Sequence, residues 1–251
     1  MFKFRSLLLL PALIASSYGL IFAVDSSQLV SEATYAKARG EGFTKAIIRG
    51  YEEACGAGGE VDPNFVPSYN NARAAGYTDI DMYWFPCNGS GHNCKSYAAQ
   101  LSEIATTFRE NSMDIGTIWI DFEKDAKVCN NVSTVLLNFK IHSLTIYGQI
   151  LVQWNYGDSG NMVQAQSLIA AIRDTGFKYG IYSSPGVSYP ILIPRQNRKL
   201  ININQEWNTI FGSRSFVLDN GSPLWFATYN NVEVSISPRH LFKSKFIYFL
   251  L

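Results

Sequence analysis

The sequence predicts an α/β protein built as a barrel of parallel strands, and three observations carry that prediction. Short apolar segments alternate with helical ones along much of the 251-residue chain, the order that parallel βα units produce. Polar or aromatic residues stand where the strands stop: Asp25, Tyr51, Phe85, Asp121, Glu123 and Tyr229. In a βα barrel the C-terminal strand ends form the functional face, so this pattern favours a barrel over an open sheet. Finally, 47% hydrophobic and 16% charged residues suit one globular domain with a large core.

The elements follow in order. Leu20 to Val24 reads as a first strand ending at Asp25, and Val30 to Gly40 as a helix. KAIIRGY, Lys45 to Tyr51, is an apolar run of strand length. Asp62-Pro63 is a start signal for a helix from Phe65 to Ala75. DIDMYWF, Asp79 to Phe85, is the third strand, Ser96 to Asn111 a long helix, and Ile115 to Ile120 the fourth strand. Downstream come a helix from Val163 to Thr175, the strand KYGIYSS from Lys178 to Ser184, and the strand PLWFATY from Pro223 to Tyr229.

A formal net charge of +1 gives no reason to expect nucleic acid or an anionic membrane as a partner. The chain opens MFKFRSLLLLPALIASSYG: Lys3 and Arg5, an apolar run from Leu7 to Ala15, then small residues Ser17 and Gly19. That run is too short to span a membrane, so residues 1–19 read as a cleaved secretory signal. The four cysteines, Cys55, Cys87, Cys94 and Cys129, all lie beyond it, as expected in an oxidising compartment. Cys87 and Cys94 bracket the Gly-rich loop CNGSGHNC and are the favoured disulfide, which leaves Cys55 with Cys129. A zinc site is the alternative, but the spacing fits no zinc pattern, and no metal or cofactor is expected. Asn88-Gly-Ser90 and Asn220-Gly-Ser222 are N-glycosylation acceptors or plain turns.

The chemistry concentrates in IGTIWIDFEKD, Ile115 to Asp125. Side chains two apart on a strand share a face, so Asp121 and Glu123 project together into a barrel mouth. Neighbouring carboxylates repel, which raises the pKa of one and keeps it protonated near neutral pH. A protonated acid beside an ionised partner is what glycosidic bond cleavage requires. A lone D-x-E is also common by chance; the apolar strand before it and Asp25 at another strand end lift this one. A serine or cysteine triad is disfavoured, because only His92, His142 and His240 are available and no G-x-S-x-G elbow occurs.

Here the motifs resemble a family. AVDSSQ (Ala23 to Gln28), KAIIRGYE, the strand end Tyr83-Trp84-Phe85, WIDFE, KYGIYSS and PLWFATY occur in the order seen in glycoside hydrolase family 25, the Chalaropsis-type lysozymes. The resemblance runs from about Phe22 to Asn230, discontinuously. It implies a TIM-like (β/α)5(β)3 barrel, five βα units closed by three further strands. It also implies hydrolysis of the β-1,4 bond between N-acetylmuramic acid and N-acetylglucosamine in bacterial peptidoglycan. Glu123 would be the general acid, Asp121 would orient the substrate acetamide or stabilise an oxazolinium-like species, and Asp25 would hold the acetamide or a water. Tyr83, Phe85, Trp225 and Tyr229 would offer flat faces to sugar rings, with barrel core as their alternative role. Some family members carry an acid on the late strand where PLWFATY has Thr228. The expected protein is a monomer acting on peptidoglycan, secreted or held in a vacuole or lysosome. Two alternatives are a sugar-binding barrel without turnover and a chitinase-like hydrolase; the latter needs a longer run of alternating acids, and Trp119 stands two before Asp121.

Three segments break the family pattern. Residues 132–153 interrupt what would read CNN-WNYGDSGN, residues 187–205 interrupt YSSPG-EWNTIFGS, and residues 234–251 end the chain. Each begins Val-Ser and the first two end in Gln. Valine codons begin GT and one glutamine codon is CAG, so these read as translated introns; their Ile, Leu, Asn, Phe, Lys and Tyr content fits A/T-rich non-coding DNA. Genuine loop insertions are the alternative, although long structureless inserts are uncommon in compact domains. On the intron reading the barrel of residues 20–233 is disrupted, its C-terminal part is cut short, and activity is expected only of a chain without the segments.

Overall fold

The computed structural model describes residues 21–54, 56–124, 126–129, 149–183, 205–213, 216–219, 222–225 and 245–249. The expected signal sequence, Cys55, Tyr229, Asn220 and most of the three suspected segments therefore lie outside the described residues.

Strand β1 (Ile21–Ser26) is followed by α1 (Glu32–Gly40), whose N-cap Ser31 accepts a hydrogen bond from Thr34 N at 3.2 Å. Then come β2 (Lys45–Glu52), the short β3 (Glu60–Val61) and α2 (Phe65–Ala74). Next are β4 (Asp79–Trp84), α3 (Tyr97–Glu110), β5 (Ile118–Asp121) and the pair β6 (Ala126–Cys129) and β7 (Gln149–Val152). The chain continues through α4 (Gly157–Thr175), β8 (Tyr179–Tyr182), α5 (Gln205–Phe211), β9 (Leu224–Trp225) and β10 (Lys245–Phe249). Asp62 serves the start of α2 by accepting from Asn64 N at 2.7 Å, and its other oxygen pairs with Arg49 Nε at 2.5 Å.

The main sheet has the order β10-β1-β2-β4-β5-β8-β9. Every neighbouring pair from β1 to β9 is parallel, while β10 runs antiparallel to β1 and β3 antiparallel to β2. Each parallel step is made through a helix, as parallel neighbours require. The result is a mixed α/β fold around a curled parallel sheet, a half-barrel compatible with a TIM-like fold; among the described residues β9 and β10 do not pair. β6 and β7 form a separate two-stranded sheet.

Strand alternation sorts the core into two layers. Ile118, Ile120 and Phe122 face outward and pack with the helices in the larger apolar cluster. Trp119 faces inward and meets Ala23, Ile47 and Tyr182 inside the curl. Burial on both faces explains why β2 and β5 read as near-continuous apolar runs. Below this inner layer, buried Asp81 accepts from Trp119 Nε1 at 2.8 Å and Thr117 N at 2.9 Å, and pairs with Lys45 at 2.9 Å. Among the described residues no helix is long and apolar enough to cross a membrane.

Candidate active site

The parallel strands all deliver their C-terminal ends to one rim, and Asp25 and Asp121 lie at strand ends there. Asp25 lies in β1 opposite Ile47, and Asp121 closes β5 opposite Tyr182. Asp121 is buried, and Asp25 and Glu123 are partly buried. Phe122 extends the pairing beyond β5: its N–H donates to Tyr182 O at 2.9 Å, and its carbonyl accepts from Ser183 Oγ at 3.1 Å. Phe122 turns outward into the helix layer, and Glu123 follows it, partly buried.

Tyr83 feels the charge of both aspartates. From β4 its ring packs against the inner layer. Burial holds its hydroxyl well above the ordinary value of 10.0, and the charges of Asp25 and Asp121 push it further; Arg49 and a hydrogen bond with Ser27 oppose the shift. The hydroxyl thus keeps its proton and can act as a donor. Arg49 stands beside it. Burial is the largest single influence and works against the guanidinium charge, but the hydrogen bond to Asp62 and the charges of Tyr83, Asp62 and Glu52 together outweigh it and raise the pKa. Its Nη2 lies 2.6 Å from Glu52 Oε2.

Of the expected sugar faces, Tyr83 and Phe85 are both partly exposed at this rim. Trp225 lies in β9, of which the backbone alone is described, and Tyr229 lies outside the described residues. The Cys87–Cys94 disulfide forms, with its Cα atoms 5.5 Å apart, and encloses half-buried His92 in the loop after β4. The pairing of Cys55 with Cys129 lies outside the described residues. Asn88 is corrected as a glycosylation acceptor: it is buried, and its Oδ1 accepts from Trp154 N at 2.8 Å, so a glycan cannot occupy it in this fold.

Sequence reading missed a second polar group at the rim. Glu53, just past β2, is 1% exposed and accepts from Gln153 Nε2 at 2.6 Å; the same amide nitrogen donates to Pro86 O at 3.1 Å. The doubled Glu52-Glu53 at a strand end was the only local signal, while Gln153 drew notice as a segment boundary. A cavity of about 540 Å³ lined by Arg109, Gly116, Phe177 and Lys178 lies at the opposite, N-terminal ends of β5 and β8, away from the acids.

Comparison with known proteins places the chain among lysozyme-like sequences. The family described as "Lysozyme-like protein 1" matches residues 16–139. "Probable GH family 25 lysozyme 4" of Dictyostelium discoideum is 27% identical over 210 residues, covering 84% of this chain and 72% of that protein. "Probable GH family 25 lysozyme 5" of the same organism is 25% identical over 213 residues, covering 84% and 73%. "Lysozyme-like protein 5" of Caenorhabditis elegans is 36% identical over 101 residues, covering 40% and 44%. No solved structure matches.

Proposed function

Because the chain is a relative of the glycoside hydrolase family 25 lysozymes, and so a glycoside hydrolase by kinship, we propose that it is a lysozyme cleaving peptidoglycan. The bond is the β-1,4 linkage between N-acetylmuramic acid and N-acetylglucosamine. The observation that carries the proposal is that Asp25 and Asp121 stand at C-terminal strand ends of one parallel sheet, near enough for both charges to act on Tyr83, with Glu123 two residues beyond Asp121.

In this mechanism Glu123, more exposed than Asp121, protonates the departing glycosidic oxygen. Asp121, buried at the end of β5, turns the substrate acetamide toward the anomeric carbon and stabilises the positive charge that develops there. Asp25 holds the acetamide or the incoming water through a hydrogen bond. Tyr83 keeps its proton beside the two aspartates. Water then attacks, giving its proton to the Glu123 carboxylate and restoring the acid. Tyr83 and Phe85, with Trp225 and Tyr229, offer ring faces to the sugars. The closed (β/α)5(β)3 barrel, secretion or vacuolar delivery, and a monomeric state belong to the same proposal.

The test is clearance of a peptidoglycan suspension. A chain lacking residues 132–153 and 187–205 is expected to clear walls, and Glu123→Gln in that background to lose about 100-fold or more of the rate. Equal clearance by the variant overturns the acid assignment. Wall binding without clearance by both forms favours the sugar-binding reading instead.

A further inference from the structure

Trp154 sits where two unfavourable features coincide. Its φ is 53°, in the left-handed region that a bulky residue seldom enters. Its side chain is fully buried, and the indole Nε1 meets no acceptor among the described residues. A position chosen for core filling alone would be served by glycine for the backbone or phenylalanine for the ring. Backbone strain of this kind persists only where the surroundings over-determine it.

Two buried amides do so here. Asn88 Oδ1 accepts from Trp154 N, and Asn161 Nδ2 donates to Trp154 O, each at 2.8 Å. Asn161 is itself fixed: it donates to Ile210 O at 2.6 Å and accepts from Tyr156 N at 3.1 Å. The preceding residue, Gln153, is tied to Glu53 and Pro86. What this clamp delivers is the indole ring against Phe122, stacked at 5.0 Å with planes 29° apart. Trp207 and Phe211 close around the same phenyl ring. Phe122 is the residue between Asp121 and Glu123, so its packing holds the short backbone from which both acids project.

We propose that Trp154 is a positioning residue for the acid pair: clamped in a left-handed conformation by Asn88 and Asn161, it holds Phe122 from behind and so sets the orientation of Asp121 and Glu123. The inference rests on the lysozyme reading for its purpose, but the coupling from Trp154 to the carboxylates stands or falls without turnover.

The experiment uses the full chain with ¹³C-labelled carboxyl groups and follows the titration of Glu123 by NMR. Glu110, exposed at the end of α3, serves as the internal reference. Trp154→Leu removes the stack, Trp154→Phe retains a ring, and Asn88→Ala releases the clamp without touching the ring. The expected result is a Glu123 midpoint displaced by about half a pH unit or more in Trp154→Leu and Asn88→Ala. In Trp154→Phe it stays near the parent value, and Glu110 does not move in any form. An unchanged Glu123 midpoint in folded Trp154→Leu overturns the proposal. If Trp154→Leu does not fold, Asn88→Ala decides by the same criterion. Should the chain lacking residues 132–153 and 187–205 fail to clear peptidoglycan while the displacement is observed in the full chain, the lysozyme reading fails and the positioning role survives.

Discussion

Gly180 shows how tightly single residues set the floor beneath the acids. It lies in β8 beside Trp119, and a Cβ there would collide with the indole, meeting Cε3 at 2.6 Å, and would meet Pro223 O at 3.0 Å. Trp119 cannot yield, because its Nε1 is held by Asp81, which is itself paired with Lys45. Gly180→Ala is therefore expected to destabilise by about 1–3 kcal/mol, as overpacking of a rigid core does. Thermal unfolding should register this as a drop of roughly 2–4 °C per kcal/mol for a protein of this size; an unchanged Tm would mean that Trp119 has room to move. At this scale the sequence was partly transparent. Asp121 and Asp25 were readable because a strand end is a local feature and alternation decides which way a side chain goes. Trp154, Asn88 and Glu53 were not, because their partners come from β2, the disulfide loop and the segment before α4, which meet only after folding.

Elements were legible in proportion to the length of their apolar runs. The strands in KAIIRGY, DIDMYWF and IWID fell within a few residues of expectation because burial on two faces leaves little choice of residue. α4 begins at Gly157, six residues before the expected Val163. Its first turns are polar and carry inward-facing Asn161, which hydrophobic periodicity does not detect. α5 escaped notice although Trp207, Ile210 and Phe211 have helical spacing, since seven residues are too few to show a period. The junction of α4, β8 and β9 shows how such elements are joined electrostatically. Asp219 accepts from Ser222 Oγ and Arg173 Nη2, each at 2.5 Å, and from Tyr179 Oη. Burial raises its pKa, but Ser222, Tyr179 and Arg173 together hold it below the ordinary 3.8. A carboxyl whose folded value lies below its unfolded value stabilises fully above the unfolded value, near 4, and loses that contribution as pH falls through the folded one. Asp219→Asn should therefore unfold at a lower temperature than the parent at neutral pH. The two melting curves should converge as pH falls toward about 2; a gap independent of pH would exclude the charge as its source.

For the whole molecule, the strand register separates the three suspected segments by what each contributes. Residues 132–153 supply β7, which pairs with β6 alone and adds nothing to the main sheet. Residues 187–205 reach the described structure only at Gln205, the first residue of α5. Residues 234–251 differ, because they contain β10, which covers the outer edge of β1 from Ile21 to Asp25. We therefore propose that the two internal segments are dispensable to the sheet, whereas the tail shields an edge. Removing residues 132–153 joins Asn131 to Trp154, so an amide side chain again precedes the tryptophan, where Gln153 now bonds Glu53. Removing the tail exposes unpaired N–H and C=O groups along β1, a template for pairing with another molecule. The expected order of soluble, monomeric yield by size-exclusion chromatography follows. A chain without the internal segments matches or exceeds the full chain, and one that also lacks residues 234–251 falls below both and shifts toward aggregates. Transcript sequencing supplies the independent check, since spliced messages lacking these segments are expected if they are introns. Equal monomer yield with and without the tail would show that β10 does not protect β1, and uniformly unspliced messages would make the segments genuine insertions.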